Sequence, residues 1–333
     1  MPGPVTHQLF YKQLKSQLKR KTLDSIQGYE KYSIFAQGHD LFLYHNFYKI
    51  FSAKHLIENI QNSDLLQEYS FQQFVYNYLK HAQHLNLLDR EQILLFLGPG
   101  YIAHHILDAY THPFIIYLAG DHVRDWNNPT WMHGIIENYL DIFMMEQAGM
   151  TENAQVYKMF SFTTKDIDPA LPDVLDVSLN ETYGFKDGGK EMCCALSQVS
   201  LFMHIFKYDP FGLKRIIFDF VDPFLKGTSS FSYHRSVADA RKFLNEEHEQ
   251  WCNPMVDTLC SRESFMELYR KALSESATII ENLMELCRTG DITQKNVFDI
   301  VPDIASTHGL SCGKSIEIKH SKQLHQNRGN QND

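Results

Sequence analysis

His104, Asp108 and His112 recur at i, i+4 and i+8, and His133 and Glu137 repeat the four-residue step 21 residues further on. Side chains four apart are neighbours on one helix face, so both stretches present imidazole and carboxylate groups in a row. Neutral imidazole nitrogen and ionised carboxylate oxygen are zinc ligands. At about 1.5 Å rise per residue, His104 and His112 stand roughly 12 Å apart along the axis, which suits two or three ions better than one. The carboxylate between them can bridge. The pattern therefore reads as a multinuclear zinc site. Zinc pairs suit phosphoester hydrolysis, because bound water ionises near neutral pH and the cations neutralise charge on the phosphoryl oxygens.

The elements that must position these groups are helical. Leu9-Phe10, Leu14 and Leu18 recur at helical spacing, and segments 40–60, 64–86, 89–111 and 131–147 show the same 3.6-residue pattern of Leu, Ile, Phe and Tyr. Thr130 is placed to cap the His133 helix. Gly98-Pro99-Gly100 predicts a break, with the ligand helix starting afresh near Gly100, and His112-Pro113 predicts that helix's end. Residues 151–190 are rich in Gly, Pro and Asp and read as a long irregular connection; helical patterns resume at about 190–206, 212–226, 236–248 and 262–289. No alternating run is long enough to indicate a sheet. The expected fold class is all-α, a multi-helix bundle over residues 1–300 with its ligand core at about 5–145. Residues 301–333 form a polar tail expected to be disordered.

Composition narrows the class. With 44% hydrophobic and 13% aromatic residues the chain can bury a large core, and a net charge of −9 over 333 residues argues against a nucleic-acid partner. The six cysteines contain no C-x-x-C pair, which argues against a Cys-ligated zinc finger, and they read as free thiols of a reducing compartment. Met-Pro-Gly-Pro-Val-Thr-His7 has no basic segment followed by an apolar one, and no run approaches the about 18 apolar residues of a membrane span. A cytoplasmic protein is expected. The stretch Lys12–Lys21 reads as a solvated helix face. His105 points about 100° away from His104 and is read as packing. His45, His81, His84 and His122 have no partner at ligand spacing and are read as structural or solvated.

Further candidates lie upstream. Gly38-His39-Asp40 puts a carboxylate after a glycine turn, His55 follows 15 residues beyond Asp40, and His7 stands near the chain start. The His39-Asp40 dipeptide also evokes the HD-domain phosphohydrolases, a reading that leaves His104, His112, His133 and Glu137 unexplained. Gly100-x3-His104-x3-Asp108-x3-His112, then His133-x3-Glu137, with the earlier Gly38-x-Asp40 turn and His55, resembles the zinc-dependent phospholipase C family, which is related to the S1/P1-type nucleases. The likeness covers roughly residues 5–145. Residues 244–254 and 263–269 also resemble cytosolic bacterial members without a leader.

The resemblance implies an all-helical fold with a multinuclear metal cleft. Asp40, His55 and His104 would hold one zinc, Asp108 would bridge to a second held by His7, and His112, His133 and Glu137 would hold a third. Secreted members complete one site with an N-terminal Trp, whereas this chain starts Met1-Pro2-Gly3, so two ions stand beside three as the expectation. Asp40 and Asp108 are the residues expected to take part in catalysis, Asp40 also as a proton acceptor. The implied activity is hydrolysis of a small phosphodiester or phospholipid by zinc-activated water, which for a lipid entails peripheral membrane contact. A nuclease or nucleotidase at the same site and a non-catalytic metal-binding helical protein are the alternatives. Glu137, where the nuclease branch ends in Asp, favours the phospholipase branch.

Overall fold

The computed structural model describes residues 3–49, 53–120, 132–150, 159–207, 213–221, 240–314 and 316–322. Within them the chain is mostly helical, and the strands are Trp251–Cys252 and Cys260–Ser261, paired antiparallel. The all-α expectation holds. No described helix is long and apolar enough to cross a membrane. The N-cap expected at Thr130 lies outside the described residues, as do His122 and the side chain of His55.

The central element is the helix Ala103–Ala119. It buries residues around its whole circumference, as a helix does when packed on every side. It packs against Phe265–Thr289, Met132–Gln147, Pro4–Leu14 and the segment Ser33–Asp40. The long Phe265–Thr289 helix is started by a capping box, in which Ser264 and Glu267 satisfy each other's backbone N–H groups, and it is ended by Gly290 at φ 73°.

The structure corrects five sequence expectations. Pro113 does not end the ligand helix, which runs six residues further to Ala119. A proline in a helix leaves the carbonyl four residues back without its N–H partner. Here that carbonyl belongs to Ala109, and Gly309 packs so closely on it that an added Cβ would lie 2.7 Å from the oxygen. Upstream, Phe96–Ile102 is a π-helical stretch that absorbs Pro99 and leads into Ala103 without a break in the rod.

The supposed irregular connection contains the helix Ala170–Tyr183, with Leu171, Val174, Leu175, Ser178 and Leu179 buried. Pro172 in its first turn loses no helical hydrogen bond, so proline there was no breaker. Cys252 and Cys260 are joined as a disulfide across the two-stranded ribbon rather than free, while Cys193, Cys194, Cys287 and Cys312 are free.

The fifth correction concerns the tail. Residues 301–314 and 316–322 are not a disordered extension, because Ala305, Ser306, Thr307 and His308 are fully buried, and the rest of the expected tail lies outside the described residues. The segment is held through its backbone: Ser306 N donates to Gln67 O (2.9 Å), Gly313 N to Glu68 O (2.9 Å), and Asn253 Nδ2 donates to His308 O (2.8 Å). Such bonds do not depend on side-chain type. A polar composition therefore gave no sign of them.

Candidate metal centre

His7 sits in the second turn of the Pro4–Leu14 helix, and the start of that helix is fixed from a distance. Asp141 accepts hydrogen bonds from Val5 N (3.2 Å), Thr6 N (2.8 Å) and Thr6 Oγ1 (2.7 Å), serving as an N-cap supplied by another helix. A Cβ on Gly3 would lie 2.3 Å from Asp141 Oδ2, so glycine is needed for that approach. Asp141 lies four residues after Glu137 on the same helix, so one helix both carries an expected ligand and anchors another.

The Ser33–Asp40 segment is kinked at Gly38, with φ 49° and ψ −129°. This conformation is open to glycine and strained for other residues. It brings the backbone against His104, where a Cβ on Gly38 would meet the ring Cγ at 2.7 Å. His39 and Asp40 follow directly and are buried beside that ring.

Two groupings result. In the inner one, His7 Nε2 lies 3.2 Å from Asp108 Oδ1 and His104 Nε2 lies 3.2 Å from Asp108 Oδ2. His104 Nε2 lies 3.8 Å from Asp40 Oδ2, and His39 Nδ1 lies 3.5 Å from Asp40 Oδ1. The rings of His7 and His104 stack with centroids 3.8 Å apart. In the outer one, His112 Nε2 and His133 Nε2 are 3.0 Å apart, and Glu137 Oε1 is 2.9 Å from His133 Nε2. The ligand atoms of His7, His104 and Asp108, of His39, Asp40 and His104, and of His112, His133 and Glu137 each lie within 4.8 Å of one another, close enough to share an ion. All these residues are buried except Glu137, whose side chain is 22% exposed.

Three observations fit a cation. Nearest-neighbour spacings of 2.9–3.8 Å bracket the edge of about 3.3 Å expected for a tetrahedron of ligands roughly 2.0–2.1 Å from zinc. Both nitrogens of His7, Nδ1 of His39, Oδ1 of Asp40, Nε2 of His104 and both oxygens of Asp108 are buried without a hydrogen-bond partner. Each such atom costs roughly 1–3 kcal/mol, a penalty that a shared cation removes. Finally, His104 Nδ1 lies 2.8 Å from Ala36 O and His112 Nδ1 lies 3.2 Å from Ser306 O. A carbonyl only accepts, so Nδ1 carries the proton and Nε2 is left as a lone pair aimed at the site.

The electrostatics of the inner grouping agree. Burial alone would raise Asp108, yet His104 and His7 on either side hold its carboxyl well below the usual range. Burial pushes Asp40 up to about 7, against the pull of His104. Burial lowers His7 and His133, keeping them neutral and fit to bind metal.

The structure thus brings together His7, Asp40, His104 and Asp108, and separately His112, His133 and Glu137. His105 is packing, as expected: its ring stacks on Phe71 at 3.6 Å and its Nε2 donates to Ile304 O at 2.7 Å. From the sequence, His39 figured only in the HD-domain alternative, and Asp141 and segment 304–306 had no role. The Gly38 turn, which swings the backbone onto His104, was the signal available for His39. The C-terminal segment yields a prediction. A chain ended at Asp303 loses the Ser306 carbonyl that sets the His112 tautomer, and its zinc affinity should fall about 10–100-fold while helical circular dichroism is retained. Unchanged zinc affinity in that chain would remove segment 304–306 from the account. Comparison with protein-family models, with curated proteins and with solved structures gives no match, so the functional reading rests on the site's own geometry.

Proposed function

We propose that the protein is a zinc-dependent phosphodiester hydrolase of phospholipase C type. The observation that carries this reading is the pairing, on neighbouring helical turns, of a buried inner cluster with an outer group of His112, His133 and Glu137. Three ligands from the described residues make the outer group, and catalytic zinc sites are built on three protein ligands. Asp108 and His112, one helical turn apart, set the two groupings about 6 Å from each other along the axis, a span that one phosphodiester can bridge. Held by these residues, zinc would supply a water activated at about neutral pH and neutralise charge on the phosphoryl oxygens.

The protein's own residues do the rest. His112, His133 and Glu137 hold the outer position, and the Ser306 carbonyl fixes the donor nitrogen of His112. Asp108 offers one oxygen to each side of the inner cluster, and Asp40 takes up protons from within it. A small diester or a phospholipid head group is the substrate class. Zinc-replete protein should hydrolyse bis(p-nitrophenyl) phosphate, and chelation should abolish the reaction. A fully metallated sample inactive on aryl, lipid and nucleotide diesters alike would overturn the enzymatic reading, and preference for single-stranded nucleic acid would move it to a nuclease.

The pH dependence has a definite sign. An acid whose pKa is raised holds its proton at higher pH than usual, and metal must displace that proton. Asp40, raised to about 7 chiefly by burial, therefore weakens zinc binding as pH falls through 7 and ceases to do so above it. Burial would lower His104, but Asp108 and Asp40 outweigh it and raise its pKa, so it acts in the same direction. Zinc titrations between pH 5.5 and 8 should show affinity falling about tenfold per pH unit, for one proton displaced, on the acid side. A flat profile would contradict the assignment of Asp40.

A further inference from the structure

Trp251–Cys252 and Cys260–Ser261 make a ribbon of two residues on each side, closed by the Cys252–Cys260 disulfide. A two-stranded hairpin alone is marginal in water, so the covalent bond supplies much of its order. The ribbon grips the ligand helix and the C-terminal segment together. The Trp251 ring packs on Phe114 of the central helix, with centroids 5.3 Å apart. Inside the disulfide loop, buried Asn253 donates from Nδ2 to His308 O at 2.8 Å. Pro254 O accepts from Lys319 N at 2.7 Å and from His320 N at 3.0 Å. The segment held in this way offers Ile304 O to His105 and Ser306 O to His112, and it seats Gly309 on the Ala109 carbonyl. Cys260 is exposed and Cys252 half-buried, whereas Trp251, Asn253 and Pro254 are buried. Exposed disulfides are within reach of thiols and belong to the labile, regulatory class.

We propose that Cys252–Cys260 is a redox site that exchanges with a dithiol, and that its reduction loosens the C-terminal segment and with it the hold on His112. The consequence for metal rests on the reading above that His112 is a zinc ligand; the loosening of the segment does not. The exchange balances. One thiolate of the dithiol attacks the exposed Cys260 Sγ, forming a mixed disulfide and expelling Cys252 as a thiolate, which takes up a proton. The second thiolate of the dithiol attacks its partner sulfur in that mixed disulfide, closes the reductant into its own disulfide and releases Cys260, which is protonated in turn. Two electrons and two protons pass to the cysteine pair.

With the bond open, the residues between Cys252 and Cys260 regain conformational freedom, and Asn253 and Pro254 spend part of the time away from their partners. Ser306 N and Gly313 N keep their bonds to Gln67 O and Glu68 O, so the segment loosens without leaving. The Ser306 carbonyl then holds the His112 tautomer less firmly, and zinc affinity falls. Reduction is in this sense a milder form of removing the segment.

Alkylation of the full chain, purified in air and denatured without reductant, should label Cys193, Cys194, Cys287 and Cys312 and spare Cys252 and Cys260. Labelling of all the cysteines overturns the redox site. Folded protein reduced with dithiothreitol, then freed of it by anaerobic gel filtration, should exchange the Lys319 and His320 amide hydrogens about tenfold faster than oxidised protein. Its zinc titration should show one ion bound about tenfold more weakly, the lower end of the effect of a group that orients a ligand. Cys252→Ser combined with Cys260→Ser should reproduce both changes without reductant and should not respond to dithiothreitol. Unchanged amide exchange on reduction of the unmutated chain overturns the proposal. Faster exchange with unchanged zinc affinity, in protein that binds zinc, overturns the link to the metal centre. A chain that binds no zinc in either redox state overturns the metal reading instead, and amide exchange at Lys319 and His320 still decides the loosening.

Discussion

Asp108→Asn should strip zinc from the inner cluster and lower phosphodiester turnover by more than about 100-fold, beyond the 10–100-fold typical of a residue that merely supports a ligand. The side chain has the same shape, so the loss isolates charge and the second donor oxygen. Asp108 lies between His7 and His104, each 3.2 Å from a different carboxylate oxygen, and both oxygens are buried without a hydrogen-bond partner. An amide offers one oxygen and presents N–H groups to the other imidazole, which repels a cation there. His105→Ala is the matched control. It removes the stack on Phe71 and the bond to Ile304 O, and should lower stability by about 1–3 kcal/mol with metal content unchanged. Equal zinc content and equal turnover in the two variants would contradict the placement of Asp108 at the centre of the site.

Gly38→Ala should be as damaging through the backbone. The residue has φ 49° and ψ −129°, and its added methyl would meet His104 Cγ at 2.7 Å. Strain in that region of backbone space costs about 1–3 kcal/mol. The clash with a ring pinned by Ala36 costs a further 1–3 kcal/mol or so by overpacking. The variant should unfold at markedly lower denaturant concentration, and any folded fraction should bind zinc poorly, because His39, Asp40 and His104 no longer converge. Wild-type stability and zinc affinity in Gly38→Ala would show that the kink does not position the site.

The legible part of this site lay where chemistry and periodicity coincide. His104, Asp108 and His112 read as ligands because a helix puts i, i+4 and i+8 on one face, and the structure brings the first two into the inner grouping and the third into the outer. Gly38 preceding a carboxylate read as a turn, and it is one. Long-range parts were not legible. Asp141 caps the His7 helix across 135 residues, a bond that no local pattern announces. Ile304 and Ser306 act through carbonyls that every residue type carries, so a polar segment looked idle while it oriented two histidines. Pro113 read as a terminator by local rules, and the contact of Gly309 with Ala109 lies outside such rules. His39 was legible only through the His39-Asp40 dipeptide, and its approach to His104 depends on the Gly38 kink.

Elemental analysis of zinc-replete protein, after gel filtration to remove loosely held ions, tests the central claim most directly. At least two zinc ions per chain are expected, since the inner and outer groupings share no ligand and each has at least three candidate donors. Less than one tightly held transition metal per chain would contradict it.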